Sequence, residues 1–369
     1  MIPTRWHILT GEYPPASGGV GDYAAQLAEA LAGAGDAVTV WVPGRTLPDC
    51  FGSESRRALD DALLHTPGIV LLQYVPNALG AHGMNLKFCR WLRARAYHGI
   101  DVRVMFHEPY FYFGFARPWR NALAAIQRVM ARTLLDASTS AYISTEAWRR
   151  CLTSRNAATL DVLPIPSNIP CTATPQEVER CRHAIAPRGE PVVGHFGTYG
   201  DHVERELMRV VPGIAEQSPT ARFAFIGSGS AEFLSRLARS YPKIAPRSWA
   251  SGRLEAREVS CALRAADVLV QPYPDGVTTR RTSVMAGLEH GVPTVTTRGA
   301  LTEAVWAESG AVILACSRDP DGFAKTVDTL LRDRAAAAAL GRRGADAYER
   351  HFSLARTIGI LRRAPQAQL

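Results

Sequence analysis

Residues 6–31 read WHILTGEYPPASGGVGDYAAQLAEAL, and this stretch decides the fold of the first half of the chain. The apolar run from Trp6 to Thr10 predicts a strand, and a glycine-rich segment follows it directly. Apolar residues then recur at helical spacing on one face, at Val20, Ala24, Leu27, Ala28 and Leu31. A strand, a loop and a helix in this order are typical of parallel α/β units.

The same alternation continues on both sides of a proline-rich segment. The other strands predicted in the first half are Val38–Val42, Gly68–Tyr74, Val102–Phe106 and Ala141–Ser144. Those predicted in the second half are Val192–Phe196, Phe223–Ile226, Val268–Gln271, Thr294–Thr297 and Val312–Ala315. Residues 163–170 contain three prolines, which restrict the residues before them to extended geometry, so we expect an interdomain linker there. The tail from Asp321 to about Arg363 is predicted to be continuous helix.

Length and composition favour an ordinary globular protein of two domains. The chain has 369 residues, which is too many for one hydrophobic core. Its seven cysteines form no CxxC pair, and no apolar run approaches the roughly 20 residues of a membrane span. We therefore expect a cytoplasmic protein with reduced cysteines.

The net charge of +8 favours anionic partners: a nucleotide, nucleic acid or an acidic bilayer. The arginines are spread along helices and no nucleic-acid-binding motif accompanies them, so we expect no nucleic-acid partner. A peripheral contact with the inner face of an acidic membrane remains open.

Several motifs, in their order and spacing, resemble the retaining glycosyltransferases of family 4. In the first half these are Tyr13-Pro14-Pro15 and Gly18-Gly19-Val20-Gly21-Asp22-Tyr23. The second half adds Gly194-His195-Phe196-Gly197-Thr198, Phe225-Ile226-Gly227-Ser228-Gly229, Ala265-Ala266-Asp267-Val268-Leu269-Val270-Gln271-Pro272-Tyr273, Gly291-Val292-Pro293-Thr294-Val295 and Tyr348-Glu349-Arg350-His351-Phe352-Ser353. The resemblance covers the chain from about residue 8 to residue 356.

This resemblance implies the α/β GT-B fold, with two Rossmann-like doubly wound domains facing across a cleft. Residues 1–169 would bind the acceptor, residues 170–353 would bind the donor nucleotide, and residues 354–369 would form a helix crossing back to the first domain. The implied activity is that of a hexosyltransferase-type glycosyltransferase, which uses a nucleoside-diphosphate sugar, retains the anomeric configuration and needs no cofactor. The acceptor, whether a glycan, a lipid-linked molecule or a small molecule, stays undetermined.

In the first domain the candidate site residues lie in two loops that follow strands. Gly18, Gly19 and Val20 begin a helix whose free amides suit an anion or a sugar hydroxyl, although a tight turn explains the glycines equally well. His107 matches a histidine that lies beside the donor sugar in the family, and Glu108 follows it. The aromatic run after it is either an acceptor surface or core packing, and it comprises Tyr110, Phe111, Tyr112, Phe113, Phe115 and Trp119.

In the second domain the predicted phosphate site is the loop and helix start at Arg280, Arg281, Thr282 and Ser283. Arginines at a helix N-terminus meet the charge that develops on a departing diphosphate. Here the chain also departs from the family, whose glutamate pair would fall on Thr278 and Ala286. Asp275 is the candidate replacement for the first glutamate, and we assign it a catalytic role together with His107.

Three other segments complete the predicted donor site. Thr198 is a further predicted phosphate-binding residue, in a loop where relatives often carry Arg and Lys and this chain has neither. Gly252, Arg253 and Leu254 resemble the segment that meets the nucleotide base and ribose. Glu303 is a candidate donor contact, or else a carboxylate that begins a helix.

Asp319-Pro320-Asp321 fits the metal-binding pattern of another glycosyltransferase class, but Asp and Pro are ordinary helix-start residues, so no metal is predicted. Two further interpretations remain open. One is a sugar phosphorylase or epimerase of the same fold, and the other is a non-catalytic nucleotide-sugar-binding protein.

Overall fold

A computed structural model describes residues 3–15, 18–114, 118, 120–152 and 160–363. The chain forms two compact units. Unit 1 comprises Met1–Pro164 and Thr357–Leu369, and unit 2 comprises Ile165–Arg356. The first boundary therefore falls between the first two prolines of the predicted linker.

Unit 1 is built on a six-stranded parallel sheet with the strand order β2-β1-β3-β4-β5-β6. Its strands are β1 (Arg5–Leu9), β2 (Ala37–Trp41), β3 (Ile69–Tyr74), β4 (Val102–Phe106), β5 (Ser140–Ile143) and β6 (Leu160–Val162). Its helices are α1 (Gly19–Gly33), α2 (Ser53–His65), α3 (Leu86–Tyr97) and α4 (Arg120–Ala137), with a short 3-10 helix at Glu146–Cys151. The five predicted strands are present, and β6 was not predicted.

Unit 2 repeats this design with the strand order β12-β11-β10-β7-β8-β9, again all parallel. Its strands are β7 (Val192–Phe196), β8 (Arg222–Ile226), β9 (Ser248–Ala250), β10 (Val268–Gln271), β11 (Thr294–Arg298) and β12 (Ile313–Cys316). Its helices are α5 (Pro175–Ile185), α6 (Asp201–Gln217), α7 (Ser230–Ser240), α8 (Ala256–Arg264), α9 (Thr282–Glu289), α10 (Ala304–Ser309), α11 (Pro320–Arg332) and α12 (Arg334–Ala347). Strand β9 is the one not predicted.

The prediction of one continuous helix from Asp321 onward was wrong. Asp333 interrupts it with a backbone ψ of 85°, and the Asp333 carboxylate accepts the amide of Ala336, which begins α12. A π turn at Tyr348–Phe352 then separates α12 from α13 (Leu354–Leu361). The chain returns to unit 1 within α13, at Thr357, and Arg362 Nη2 then lies 3.1 Å from the buried carboxylate of Asp36.

Both sheets have a point at which the order of the strands reverses. In unit 1 the chain moves from β1 to β2 on one side and returns to β3 on the other side of β1. In unit 2 the corresponding reversal lies between β7 and β10. Ligands of open parallel sheets bind outside the carboxyl ends of the strands at such points, so these two edges are where a site is expected.

None of the helices in the described part of the chain combines the length and the hydrophobicity that crossing a bilayer requires.

Candidate active site

In unit 1 a cluster of three polar side chains lies at the carboxyl ends of β3 and β4. His107 follows β4 and is buried, and its Nε2 lies 2.7 Å from Oε1 of Gln73 near the end of β3. The ring of Tyr23, from α1, packs edge-on against His107 with 5.3 Å between the ring centroids. The amide nitrogen of Gln73 and the hydroxyl of Tyr23 are both buried without a hydrogen-bond partner among the described residues. Since buried polar groups are normally paired, these two unpaired groups mark this edge of the sheet as a candidate site.

The glycine-rich loop places its own carboxylate at the start of α1. Glu12 Oε1 accepts the amide of Gly21 at 3.2 Å, and a side chain at Gly18 would lie 2.3 Å from that carboxylate. Gly19 is exposed, and Gly18 and Val20 are half-buried. A carboxylate at this helix start disfavours a second anion there, so of the two predicted ligands a sugar hydroxyl fits better than a phosphate.

The aromatic run after His107 surrounds an arginine. The guanidinium carbon of Arg128, on α4, lies 4.1 Å from the ring centroid of Tyr110 and 3.8 Å from that of Phe113. Tyr112 is 64% exposed and Phe113 is 56% exposed, so these two rings form a surface rather than core. Glu108 is also exposed. Phe115 and Trp119 lie outside the described residues.

In unit 2 the loop between β10 and α9 carries the predicted phosphate residues. The guanidinium of Arg281 stacks on Tyr273 at 4.4 Å, and its Nε is buried without a partner among the described residues. Burial lowers the pKa of Arg281 from its usual value. Thr282 and Ser283 form the first turn of α9, and the Ser283 hydroxyl lies 2.8 Å from the Tyr273 hydroxyl. Arg280 is half-buried beside them.

Both positions at which the family carries glutamates are buried. Ala286 is packed in the hydrophobic core, and Thr278 is 3% exposed with its hydroxyl unpaired among the described residues. Asp275 is exposed, three residues before Thr278. Burial raises the pKa of Glu289, which lies near Ser167 and Tyr348.

Glu303, the residue directly before α10, contacts the loop between β10 and α9. Its Oε2 accepts the Thr279 amide at 2.8 Å and the Trp306 indole at 3.0 Å, and its Oε1 accepts the Thr279 hydroxyl at 2.7 Å. Its carboxylate makes no capping hydrogen bond to the start of α10. Glu303 is nevertheless the N-cap residue of α10, so it begins a helix as the structural interpretation expected, while its hydrogen bonds fix the backbone and side chain of the loop.

Hydrogen bonds connect this loop to the end of β7. Gln271 Nε2 donates to the Phe196 carbonyl at 2.9 Å, and the Tyr273 hydroxyl donates to Gln271 Oε1 at 3.4 Å. Thr198 is exposed just beyond β7, and His195 is buried before it. His195 Nδ1 lies 2.8 Å from the Val270 carbonyl, its Nε2 has no partner among the described residues, and burial lowers its pKa to about 4. This imidazole is neutral at pH 7.

The predicted base-binding segment lies at the same edge. Gly252 adopts a φ of +64°, and its amide donates to the Ser230 hydroxyl at 2.9 Å. The Ser251 hydroxyl in turn accepts the Gly227 amide at 2.9 Å. Arg253 is exposed and Leu254 is half-buried. Loops following β7, β8, β9 and β10 thus converge at the strand-order reversal of unit 2.

Sequence reasoning missed the roles of Gln73, Gln271 and Tyr273, which connect the predicted residues to one another. It also missed Glu12. The signal available was only that each lies at or just after the end of a predicted strand, which is where site residues of parallel sheets are found.

The metal-binding alternative at residues 319–321 has a different structural role. Asp319 accepts the amide of Gly322 at 2.8 Å and begins α11, with Pro320 in the first turn.

Comparison with known proteins agrees with this architecture. Residues 190–333, within unit 2, match the family described as Glycosyl transferases group 1. No curated protein matches the sequence.

Among solved structures, sucrose-phosphate synthase from Thermosynechococcus elongatus is 15% identical, with 97% of each chain covered and a TM-score of 0.71. Anabaena Alr3699/HepE, in complex with UDP and glucose, is 12% identical, with 97% of this chain and 98% of that chain covered and a TM-score of 0.66. WaaG, a glycosyltransferase involved in lipopolysaccharide biosynthesis, is 14% identical, with 97% and 100% covered and a TM-score of 0.66.

At these identities the solved structures establish the fold alone. The family match indicates the class of domain to which residues 190–333 are similar. The fold that the resemblance implies is confirmed: the chain has the GT-B fold, and its residues 190–333 match the glycosyl transferases group 1 family.

Proposed function

We propose that the protein transfers a glycosyl group from a nucleoside-diphosphate sugar to an acceptor hydroxyl, with retention of the anomeric configuration. The observation that carries this proposal is the loop of unit 2 at Arg280–Ser283, where two arginines and the start of α9 lie at the strand-order reversal. The HepE structure, which has the same fold, was solved with UDP and with UDP-glucose, and this supports a nucleotide sugar as donor.

The leaving group explains why these residues are needed. As the glycosidic bond breaks, the diphosphate gains negative charge, and preformed positive groups in a partly desolvated site stabilise that charge most effectively. Stacking on Tyr273 holds the Arg281 guanidinium in one orientation, and its unpaired Nε leaves a donor for a phosphate oxygen. The amides at the first turn of α9 add the positive end of a helix dipole.

Glu303 has a positioning role in this proposal. Its carboxylate holds Thr279, the residue directly before Arg280, through both the backbone amide and the hydroxyl. The two arginines are therefore presented from a fixed backbone although the family's glutamates are replaced by Thr278 and Ala286.

In unit 1, His107 with Gln73 and Tyr23 is the proposed group nearest to the reacting sugar. If Gln73 Oε1 accepts the hydrogen bond, His107 carries its proton on Nε2, and the amide nitrogen of Gln73 stays free to donate to a sugar hydroxyl. The proposed route to retention is attack by the acceptor on the same face from which the diphosphate departs, with a leaving phosphate oxygen accepting the acceptor proton.

The test is a thermal-shift screen with UDP, GDP, ADP, TDP and their sugars. A ligand that binds only the native state raises the melting temperature, so no acceptor is needed. One nucleotide family should raise Tm for the wild type and for the control Arg239→Ala/Arg318→Ala, in which two exposed arginines of unit 2 are removed. The variant Arg280→Ala/Arg281→Ala should lose the shift. No shift with any nucleotide, or an equal shift in both double variants, would contradict the proposed donor site.

Two further measurements separate the other activities of this fold. A sugar phosphorylase would release a sugar phosphate when the enzyme is given inorganic phosphate, and an epimerase would change the sugar without releasing diphosphate. A protein that binds the nucleotide sugar but releases no diphosphate with a wide panel of acceptors would be a binding protein, and the buried Thr278 and Ala286 are the observation that favours this outcome.

A further inference from the structure

A cavity in unit 1 is not used by the proposed transfer reaction. It has a volume of about 160 Å³ and lies between α4 and the end of the 3-10 helix at Glu146–Cys151. Its described lining residues are Tyr110, Arg128, Ala131, Arg132, Leu135, Cys151 and Leu152. A cavity of roughly 150 Å³ accommodates a molecule the size of benzene, so this one fits a compact group and not a nucleotide sugar.

The described lining of the cavity combines apolar side chains with two arginines. Ala131, Leu135 and Leu152 are each less than one tenth exposed and supply the apolar part. The two arginines are the charged residues among its described lining, and no carboxylate lies there. Burial and a hydrogen bond to Cys151 raise the pKa of Tyr110 to about 12, so its hydroxyl adds no negative charge at neutral pH.

Arg128 is held in place before any ligand arrives. Its guanidinium lies between the rings of Tyr110 and Phe113, at 4.1 and 3.8 Å from their centroids. Nη1 donates to the carbonyls of Phe111 and Ala124, at 2.9 and 3.0 Å. Nε and Nη2 form the other edge of the guanidinium and make no hydrogen bond with the described residues. This edge can donate to two oxygens of one oxyanion.

Arg132 adds a second positive charge one turn further along α4. It is exposed and makes no hydrogen bond or ion pair with any described residue. An arginine without an ion-pair partner among the described residues, lining the same cavity as apolar side chains, suits a ligand that is anionic at one end and apolar at the other.

We propose that this cavity is a binding site for a compact organic oxyanion, a phosphate monoester or a carboxylate attached to an apolar body of about the size of a benzene ring. The oxyanion would bind the free edge of Arg128 and the head of Arg132, and the apolar body would lie against Ala131, Leu135 and Leu152. The residues of this cavity belong to unit 1, whereas the proposed donor phosphate residues belong to unit 2.

The cavity also shares a wall with the loop of His107. The Tyr110 hydroxyl donates to the Cys151 carbonyl at 2.9 Å, and the Trp148 indole donates to the His107 carbonyl at 3.1 Å. An occupied cavity would therefore stabilise the loop from His107 to Phe113 against the 3-10 helix.

Ligand-observed NMR titration with phenyl phosphate and benzoate tests this site, with benzyl alcohol as the neutral comparison. Phenyl phosphate and benzoate should bind the wild type at least tenfold more tightly than benzyl alcohol. Because one charge-assisted hydrogen bond is worth about tenfold in affinity, Arg132→Gln should weaken phenyl phosphate binding about tenfold. Arg93→Gln, which removes an exposed arginine from α3, should leave it unchanged.

Arg128→Lys keeps the charge but removes the planar edge and the stacking, so it should also weaken binding. Equal affinities in Arg132→Gln and Arg93→Gln, or benzyl alcohol binding as tightly as phenyl phosphate, would overturn the proposal. Nucleotide-induced Tm shifts should be the same in Arg132→Gln as in the wild type, so failure of this site and failure of the donor site are distinguishable.

Discussion

Removal of the Glu303 carboxylate should destabilise unit 2 and loosen the phosphate loop. In Glu303→Ala the Thr279 amide, the Thr279 hydroxyl and the Trp306 indole lose their acceptor. Thr279 and Trp306 are 2% and 0% exposed, so water replaces the carboxylate poorly. Each hydrogen bond to a charged group contributes about 1.5 kcal/mol or more, so the free energy of unfolding should fall by roughly 4 kcal/mol.

Equilibrium urea denaturation measures this loss, and two variants calibrate it. Glu303→Gln keeps one carbonyl oxygen and should lose about 2 kcal/mol. Glu308→Ala removes an exposed carboxylate from the same helix and should change stability by less than about 0.5 kcal/mol. If Glu303→Ala were as stable as Glu308→Ala, the proposed role of Glu303 in holding the loop would be wrong.

Three further predictions concern buried groups. Burial lowers the pKa of His195 from 6.5 to about 4. As pH falls, the unfolded chain therefore takes up this proton before the native protein does. The stability that is present above pH 6.5 is lost progressively as pH falls to about 4. The loss should reach about 3 kcal/mol in wild type and be smaller in His195→Gln, as urea denaturation at each pH will show. Tyr23→Phe removes an unpaired buried hydroxyl and should raise the free energy of unfolding by about 1 kcal/mol. Tyr199→Phe, which loses the hydrogen bond from its buried hydroxyl to the His195 carbonyl, should lower the free energy of unfolding. A loss of stability in Tyr23→Phe would mean that the Tyr23 hydroxyl is paired. Gly276→Ala should lower Tm more than Gly252→Ala. Both glycines have positive φ, but of the two only at Gly276 would a Cβ lie within 2.5 Å of other atoms, which belong to Thr302 and Gly299. Equal losses of Tm would contradict this packing.

Much of the fold was predictable because buried parallel strands are continuous apolar runs. Most of the ten predicted strands had this signal, and the missed strands β6 and β9 are only three residues long. The break at Asp333 was missed because the alanines that follow it favour a continuous helix. In the structure the Asp333 carboxylate instead caps the start of a second helix, α12. Composition over a window cannot show a cap that starts a second helix.

The site was less predictable because its partners are distant in sequence. The proximity of Arg280, Arg281, Thr282 and Ser283 follows from the chain itself. The contact of Glu303 with Thr279 spans 24 residues, and that of His107 with Gln73 spans 34 residues. The carboxylate of Glu12 at the start of α1 was equally hidden, since only the backbone of the loop brings it to the Gly21 amide.

The most direct test of the central claim is a comparison of nucleoside diphosphate and monophosphate affinities by isothermal titration calorimetry, with the base found in the thermal-shift screen. If Arg280, Arg281 and the start of α9 bind the second phosphate, wild type should prefer the diphosphate by at least tenfold, about 1.4 kcal/mol. Arg280→Ala/Arg281→Ala should lose this preference while still binding the monophosphate. Equal affinities in the wild type, or an unchanged preference in the double variant, would contradict the assignment of this loop as the donor phosphate site.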